Sequence, residues 1–289
     1  MRPLPAFFEP YQQEIARALD EIVPPAGASR TGDAMRYTLL APSKRVRAIL
    51  VMLASDVTGG SPAARARPAA CAIEAVHAAS LMLDDLPSMD DAPLRRGRPT
   101  AHVAFGEAVT ILAAFGLLNA AFGTLTRRYD PPLAARLAGD VADAVGLDGL
   151  VGGQAEDVLA TDAAVTFDTL ERIHRRKTGA LFCAAALAGG RVAGASDRDL
   201  AALTAYAKNL GLAFQIVDDL LDVTGDPAET GKAHRADARK TTFVSFSGVE
   251  GARQLAGELC DTAIAALSPF GPKAARLTEL AHFVASRRL

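Results

Sequence analysis

"ACAIEAVHAASLMLDD", Ala70–Asp85, is written almost wholly in small and apolar residues. Glu74, His77, Leu81, Asp84 and Asp85 recur at spacings that bring them to one helical face. The other positions are mostly apolar, so the segment reads as a largely buried helix with one polar stripe. Buried carboxylates need partners, because desolvating a lone charge costs many kcal/mol. A stripe that faces a metal-filled cavity meets that need.

The same helical period governs the rest of the chain. It recurs in "GLVGGQAEDVLA", "LERIHRRKTGALFCAAALAGG" and "AALTAYAKNLGLAFQIVDDLLDV". Breakers such as "VPPAGASRTGD", "DAPLRRGRPT", "YDPPL" and "SPFGP" fall between them. Long alternating Val/Ile/Thr strands, repeats and an interdomain linker are absent. The pattern predicts a single all-α domain over residues 1–289, a bundle of about ten or more helices.

The chain has 289 residues, half of them hydrophobic, with 31 basic and 33 acidic side chains for a net charge of -2. That balance argues against a nucleic-acid binder, which would carry a basic excess. Cys71, Cys183 and Cys260 have neither zinc spacing nor an even count for a disulfide framework, which favours a reducing compartment. "MRPLPAFFEP" lacks the basic start and apolar run of a signal peptide, and a cytoplasmic location is expected. Ala108–Thr126 is uncharged and approaches the length of a membrane span. Its larger residues are spread thinly among alanines, with Thr110, Gly116, Asn119 and Gly123 interspersed. It reads as a buried helix that must be covered by the core or by a second subunit.

Beyond Asp85, Pro87 disrupts the helix. On an uninterrupted helix Asp91 would return to the Asp84 face, but the chain loosens here and spacing alone does not choose between Asp90 and Asp91. A second acid site repeats the design in "GLAFQIVDDLLDVTGD": Gln215, Asp218, Asp219 and Asp222 form one stripe at i, i+3, i+4 and i+7. A solvent-facing acidic helix would want basic partners at i+4, and none is present. Oxygen-only donors suit a hard cation, and Mg²⁺ keeps waters and bridges to phosphate oxygens. Basic residues gather in "PSKRVRAIL" (Lys44, Arg45, Arg47), "LRRGRPT" (Arg95, Arg96, Arg98), "RRKTG" (Lys177) and "TGKAHRADARKTT" (Lys232, Lys240). Beside two metal-type acid sites they point to a diphosphate ligand, whose oxygens match arginine forks.

Together these blocks resemble the trans-isoprenyl diphosphate synthases. "DDLPSMDDAPLRRGRPT" is similar to the family's first aspartate-rich motif in its DDxxxxD form, and "FQIVDDLLD" to its second. "SKRVR", "VHAASL", "VGGQAED" and "RRKTGALF" follow the family's order, and the likeness spans about Lys44 to Thr242. The wording is most like the bacterial geranylgeranyl diphosphate branch of carotenoid biosynthesis. The resemblance implies an all-α bundle around a central cavity, a homodimer with Ala108–Thr126 at its interface, and head-to-tail joining of isopentenyl diphosphate to an allylic diphosphate. It implies three Mg²⁺ ions, held by Asp84, Asp90 and Asp218, with Asp85, Asp219 and Asp222 as further ligands or water-holders. Arg95 would bind the allylic diphosphate, with Lys177, Thr178, Lys232 and Lys240. Arg96, Lys44, Arg47 and His77 would bind isopentenyl diphosphate. Gln215 would act at the carbocation, Asp237 would hold metal-bound water, and Gln154 and Asp157 would support the site. On this reading the acid and base clusters hold opposite sides of the substrates instead of neutralising each other.

Three departures stand out. The family's glycine-rich "GGKR" reads Pro42-Ser43-Lys44-Arg45, Phe115 replaces a commonly acidic residue, and Gly231–Lys240 is shorter than usual. Rival readings are a terpene cyclase, a squalene-type synthase and a noncatalytic partner subunit. The first needs no isopentenyl site, the second words its motifs differently, and the third usually loses an acid motif that is intact here. The resemblance marks Ala79 and Ser80, roughly 6–8 Å along the helix from Asp84, as chain-length gates. Both are small, which leaves a first gate open and favours a twenty-carbon product over farnesyl diphosphate. The floor is expected deeper, from Ala108–Thr126 side chains such as Phe115. "GG" at Gly152–Gly153 reads as close helix packing.

Overall fold

The computed structural model describes residues 5–59, 63–160, 165–224 and 241–286. Its helices are α1 (Glu9–Asp20), α2 (Arg30–Leu39), α3 (Val46–Thr58), α4 (Ala63–Asp84), α5 (Ala101–Phe105), α6 (Glu107–Arg128) and α7 (Pro131–Val145). They continue as α8 (Leu150–Leu159), α9 (Phe167–His174), α10 (Ala180–Ala193), α11 (Asp197–Thr224), α12 (Phe243–Ala266) and α13 (Ala275–Ala285). The all-α expectation holds. Side-chain caps fix several starts: Ser29 accepts from the Gly32 N–H at 3.0 Å, and Asp130 accepts from the Leu133 N–H at 3.2 Å with prolines following. Thr242 and Ser245 close a reciprocal box at the start of α12.

α3 is the central helix. Ile49, Leu50, Val51, Met52 and Leu53 are all buried, because α3 packs against α4 and α10 and also touches α1 and α13. One continuous core runs from Phe8 to Val284 and so ties both ends of the described chain together. A smaller cluster, including Leu170, Ile216, Leu220 and Phe243, joins α9, the end of α11 and the start of α12. Each large aliphatic side chain fully buried this way contributes about 1.5–3 kcal/mol.

α6 has two faces. Ala113, Ala114, Leu117, Ala121 and Leu125 are buried, and the helix packs chiefly on α4 and α2. Ile111, Leu112 and Phe115 stand on the other side, with Phe115 64% exposed. This corrects the expected cavity floor: Phe115 points outward and cannot limit a cavity within its own chain. α6 and α11 are each long and apolar enough to cross a membrane by length and composition, but each buries a face in this bundle.

Among the described residues one strand pair forms, Leu94–Arg95 (β1) with Arg98–Pro99 (β2). The loop is Arg96–Gly97, with φ of 56° and 73°. Two left-handed residues in succession make the mirror-image turn that suits a two-residue hairpin. The hairpin folds the basic segment back over the end of α4.

Candidate active site

α4 stops at Asp84, and the chain then curls back on itself. The Asp90 N–H donates to the Asp84 carbonyl at 2.9 Å, the Asp91 N–H to Leu86 at 3.0 Å and the Ala92 N–H to Asp85 at 3.2 Å. Pro87 prevents further helix, and Asp91 adopts φ 46° to complete the turn. The curl brings Asp90 to Asp84, a choice that spacing had left open. Burial pushes the Asp84 carboxyl up to about 6; Asp90 and Asp85 add to the rise, while Lys177 and Arg95 oppose it.

Asp85 turns the other way. It is buried and accepts from Arg95 Nε at 2.8 and 2.9 Å and from Arg95 Nη2 at 2.6 Å. Burial works against the Arg95 charge, but the Asp85 hydrogen bonds and charge outweigh it and hold Arg95 above its ordinary pKa. The acid and base clusters therefore do neutralise each other at this one pair, a correction to the sequence reading. The cause is the hairpin, which brings Arg95 back over Asp85.

The second acid site shows the same division. Asp219 is buried, accepting from Gln215 Nε2 at 3.0 Å and from the Phe243 N–H at 3.1 Å. It thus holds the N-terminus of α12. Burial raises its carboxyl to about 7. Gln215 in turn accepts from Thr178 Oγ1 at 2.9 Å. Both ends of the Gln215 amide are engaged, so a polar chain runs from Thr178 through Gln215 to Asp219. Asp218 and Asp222 lie half-buried on the same stripe, and their charges reach Asp219.

Lys177 and Thr178 sit in a wide π turn, Arg175–Gly179, between α9 and α10. One-turn π segments often mark functional sites. Lys177 Nζ bonds Asp157 of α8 at 2.7 Å, and its charge also reaches Asp84. Adjacent residues thus link α8, α4 and α11. This closeness needs a bare Gly153, where a Cβ would lie 2.4 Å from the Lys177 nitrogen. The packing role expected of Gly152–Gly153 is what the structure shows. Gln154, on the same helix, reaches Met89 in the Asp84–Asp90 curl, Nε2 to Sδ 3.6 Å.

A cavity of about 110 Å³ opens beside this site, lined by His77, Glu74, Arg45, Arg95, Arg96 and Arg98 with Tyr37 and Thr38 of α2. Arg96 donates to the Pro42 carbonyl at 3.4 Å. Desolvation, then Arg47, Arg96 and Arg95, lowers the His77 pKa well below its usual value, so the ring is neutral. Arg47 Nη1 lies 3.4 Å from His77 Nε2, and its guanidinium lies over Phe182 and Phe214. Lys44 Nζ lies 5.2 Å from the Phe283 ring centre. Ala79 is buried, and half-buried Ser80 donates to the His77 carbonyl at 2.9 Å. Lys232, Asp237 and Lys240 lie outside the described residues.

Sequence reasoning missed the role of Glu74. It leaves the polar stripe to meet Arg45 Nη1 at 2.9 Å, both side chains buried. Arg45 also donates to the Leu39 and Ala41 carbonyls at 2.6 and 2.8 Å, and it adopts φ 52° where α3 begins. Phe182 and Phe283 were missed as well. No spacing signals contacts between residues so distant in sequence.

Among the described residues no group of three or more His, Cys, Asp and Glu side chains could hold a metal ion unaided. The donors still fit Mg²⁺, which takes one or two carboxylates and completes its shell with water and phosphate oxygens. Asp84 with Asp90 is such a pair, close enough that the Asp90 charge adds to the burial that raises the Asp84 carboxyl.

Two aspartate-bearing helices, bridged by a lysine–threonine turn and flanked by an arginine-lined cavity inside an all-α bundle, define an enzyme of diphosphate substrates. The chain is a prenyltransferase. It belongs to the polyprenyl synthetase family, whose family model matches residues 29–262. It is 41% identical over 282 residues to a chloroplastic geranylfarnesyl diphosphate synthase of Leucosceptrum canum, covering 94% of this chain and 77% of that one. A geranylgeranyl diphosphate synthase of Cyanophora paradoxa is 39% identical over 275 residues, covering 93% and 91%. A solved apo structure of an FPP/GFPP synthase from Zymomonas mobilis matches at TM-score 0.85 and 37% identity, covering 97% of this chain and 98% of that one. A geranyltransferase of Helicobacter pylori, solved with magnesium and isoprenyl diphosphate, matches at TM-score 0.83 and 26% identity over 98% of each chain.

Proposed function

We propose that this enzyme condenses isopentenyl diphosphate head to tail with allylic diphosphates, requires Mg²⁺, and releases geranylgeranyl diphosphate. The observation that carries the reading is the bridge: Lys177 reaches Asp157 and acts on Asp84, while Thr178 holds Gln215, which donates to Asp219 of the second acid site. Two acid sites so joined can grip one diphosphate from both sides.

Asp84, Asp90, Asp218 and Asp222 are the residues that would hold the metal, which supplies positive charge to the leaving diphosphate. Asp85 and Asp219, the second aspartate of each pair, anchor Arg95 and α12. Arg95 and Lys177, held by carboxylates, bind the allylic diphosphate, with Lys232 and Lys240 expected to join them. Arg96, Lys44, Arg47 and neutral His77 bind the isopentenyl diphosphate. The allylic C–O bond breaks, and its electron pair leaves with the diphosphate. The isopentenyl double bond then forms the new C–C bond, and a proton is lost from the adjacent carbon. Buried walls exclude water, which would otherwise trap the cation.

Small Ala79 and Ser80 support the twenty-carbon product over farnesyl diphosphate, as do relatives named for geranylgeranyl diphosphate. The exposed Ile111, Leu112 and Phe115 face of α6 supports a homodimer, since large apolar side chains in one stripe call for a cover. Three free cysteines support a cytoplasmic location. The motif wording supports a place in carotenoid biosynthesis.

The test is incubation with labelled isopentenyl diphosphate and an allylic starter, with and without Mg²⁺, followed by chromatography of the dephosphorylated products. Geranylgeraniol formed only with Mg²⁺ is the expected outcome. Asp84→Ala and Asp218→Ala should each lower kcat by several orders of magnitude with the helical spectrum intact. Wild-type protein without turnover would indicate a noncatalytic subunit, and near-normal turnover in either variant would overturn the metal assignment.

A further inference from the structure

The curl that carries Asp90 also carries a methionine. Met89 is 42% exposed, whereas Met35, Met52 and Met82 are buried, so among the described methionines its thioether is the one open to solvent. The thiols compete poorly for an oxidant. Burial pushes Cys71 and Cys260 up to about 12 and Cys183 up to about 11, which keeps them protonated, and the thiolate is the reactive form. A soft thioether does not suit a hard cation such as Mg²⁺, so the sulfur next to Asp90 is no metal donor.

Met89 Sδ instead touches α8. It lies 3.6 Å from Nε2 of Gln154, a buried side chain whose Oε1 has no hydrogen-bond partner among the described residues. α8 is the fixed side of this contact. A Cβ on Gly153 would lie 2.4 Å from the Lys177 nitrogen, and Asp157 bonds Lys177 Nζ at 2.7 Å. The curl is the yielding side, because Pro87–Asp90 is exposed and lies beyond the end of α4. A sulfoxide oxygen is a far stronger acceptor than a thioether, so the Gln154 N–H would bond to it. That bond alone takes about 2.9 Å between its heavy atoms, which leaves no room for an oxygen between sulfur and nitrogen 3.6 Å apart. Turning the amide over offers only Oε1, a second acceptor. The curl therefore moves away from α8 and takes Asp90 with it.

We propose that Met89 is an oxidation site, and that its sulfoxide displaces Asp90 from Asp84 and weakens the grip of this pair on Mg²⁺. This rests on the reading that Asp84 and Asp90 hold the metal. Hydrogen peroxide is the oxidant. A sulfur lone pair attacks one peroxide oxygen, and the S–O bond forms as the O–O bond breaks. The other oxygen leaves as water with the proton of the transferred oxygen. Methionine loses two electrons and the peroxide gains them. Methionine sulfoxide reductases, supplied with thiol, reverse the change and release the oxygen as water.

The test treats the full-length enzyme with graded hydrogen peroxide, quenches with catalase, and locates the added oxygen by tandem mass spectrometry. Two quantities are then read: the rise in Tm on adding Mg²⁺ with inorganic diphosphate, and the Mg²⁺ concentration for half-maximal turnover. The first oxygen should fall on Met89. The Mg²⁺ requirement should then rise about tenfold, as for other groups that orient metal ligands, and the Tm rise should shrink. Sulfoxide reductases for both epimers, with dithiothreitol, should restore both. Met89→Leu, read against its own untreated values, should respond to peroxide in neither. Untreated enzyme without Mg²⁺-dependent turnover would sink the functional reading and this proposal together. With Mg²⁺-dependent turnover in hand, three results would overturn this proposal alone: oxygen added first elsewhere, full Met89 sulfoxide with an unchanged Mg²⁺ requirement, or an equal loss in Met89→Leu.

Discussion

Glu74→Gln keeps the shape of the Arg45 partner and removes its charge. Arg45 and Glu74 are 7% and 3% exposed, so the guanidinium would be left as an uncompensated buried charge. Breaking such a pair typically costs about 3–5 kcal/mol. The lower end applies here, because Glu74 Oε2 is already buried without a hydrogen-bond partner and part of the cost is present in the wild type. At about 2 °C per kcal/mol for a chain of this size, a ~3 kcal/mol loss lowers Tm by roughly 6 °C. Arg45 also holds the Leu39 and Ala41 carbonyls, so the connection that carries Lys44 should loosen. KM for isopentenyl diphosphate should rise with the loss of stability. Urea melts at fixed protein concentration give the first quantity and initial rates the second. An Arg45→Leu/Glu74→Leu double variant removes the uncompensated charge but takes the donor from the Leu39 and Ala41 carbonyls, so it should recover only part of the stability. A single variant within about 1 kcal/mol of wild type would refute the argument.

Asp219 has a folded pKa of about 7, above its ordinary value of 3.8, so the folded chain retains a proton that the unfolded chain releases. Its stabilising contribution is complete below about pH 4 and is lost as pH climbs through 7, so the Tm of Asp219→Asn minus that of wild type, without Mg²⁺, should grow from pH 5 to 8. A constant difference would refute the shift. Ala79→Phe should move the product towards fifteen carbons and cost about 1–3 kcal/mol of stability, because Ala79 is buried against the core; unchanged product chromatograms would remove the gate. Arg96→Ala should raise KM for isopentenyl diphosphate and Arg95→Ala that for the allylic substrate. Equal effects of both variants on both substrates would end that partition.

The helices that carry the chemistry were legible because their polar residues interrupt an apolar pattern. The α4 and α11 stripes, and the end of α4 before Pro87, could be read directly. Within each stripe, spacing could not tell Asp84 from Asp85 or Asp218 from Asp219. The division is made by Arg95 and by the start of α12, both brought in from elsewhere in the fold. Asp90 over Asp91 depended on how a broken helix curls, which no helical period describes. The hairpin was missed because two strands of two residues leave no alternation to find; its signal was the Arg96–Gly97 pair, suited to a mirror-image turn. Phe115 was read both as part of an interface helix and as a cavity floor, because an uncharged helix gives no clue to its outer face.

The wide turn at Arg175–Gly179 changes what a lost residue would do. In a uniform α-helix, removing one residue rotates everything beyond it by about 100° and carries the buried face out to solvent. A π turn holds one residue more than an α turn. Removing one of Arg175, Arg176, Lys177 or Thr178 lets the backbone close as ordinary α-helix, with α9 and α10 keeping their faces. The damage then falls on the direction of Lys177 and Thr178, the two side chains that join Asp157 and Gln215. At this point in the chain, length encodes catalysis, and a one-residue deletion would yield a well-folded protein without activity.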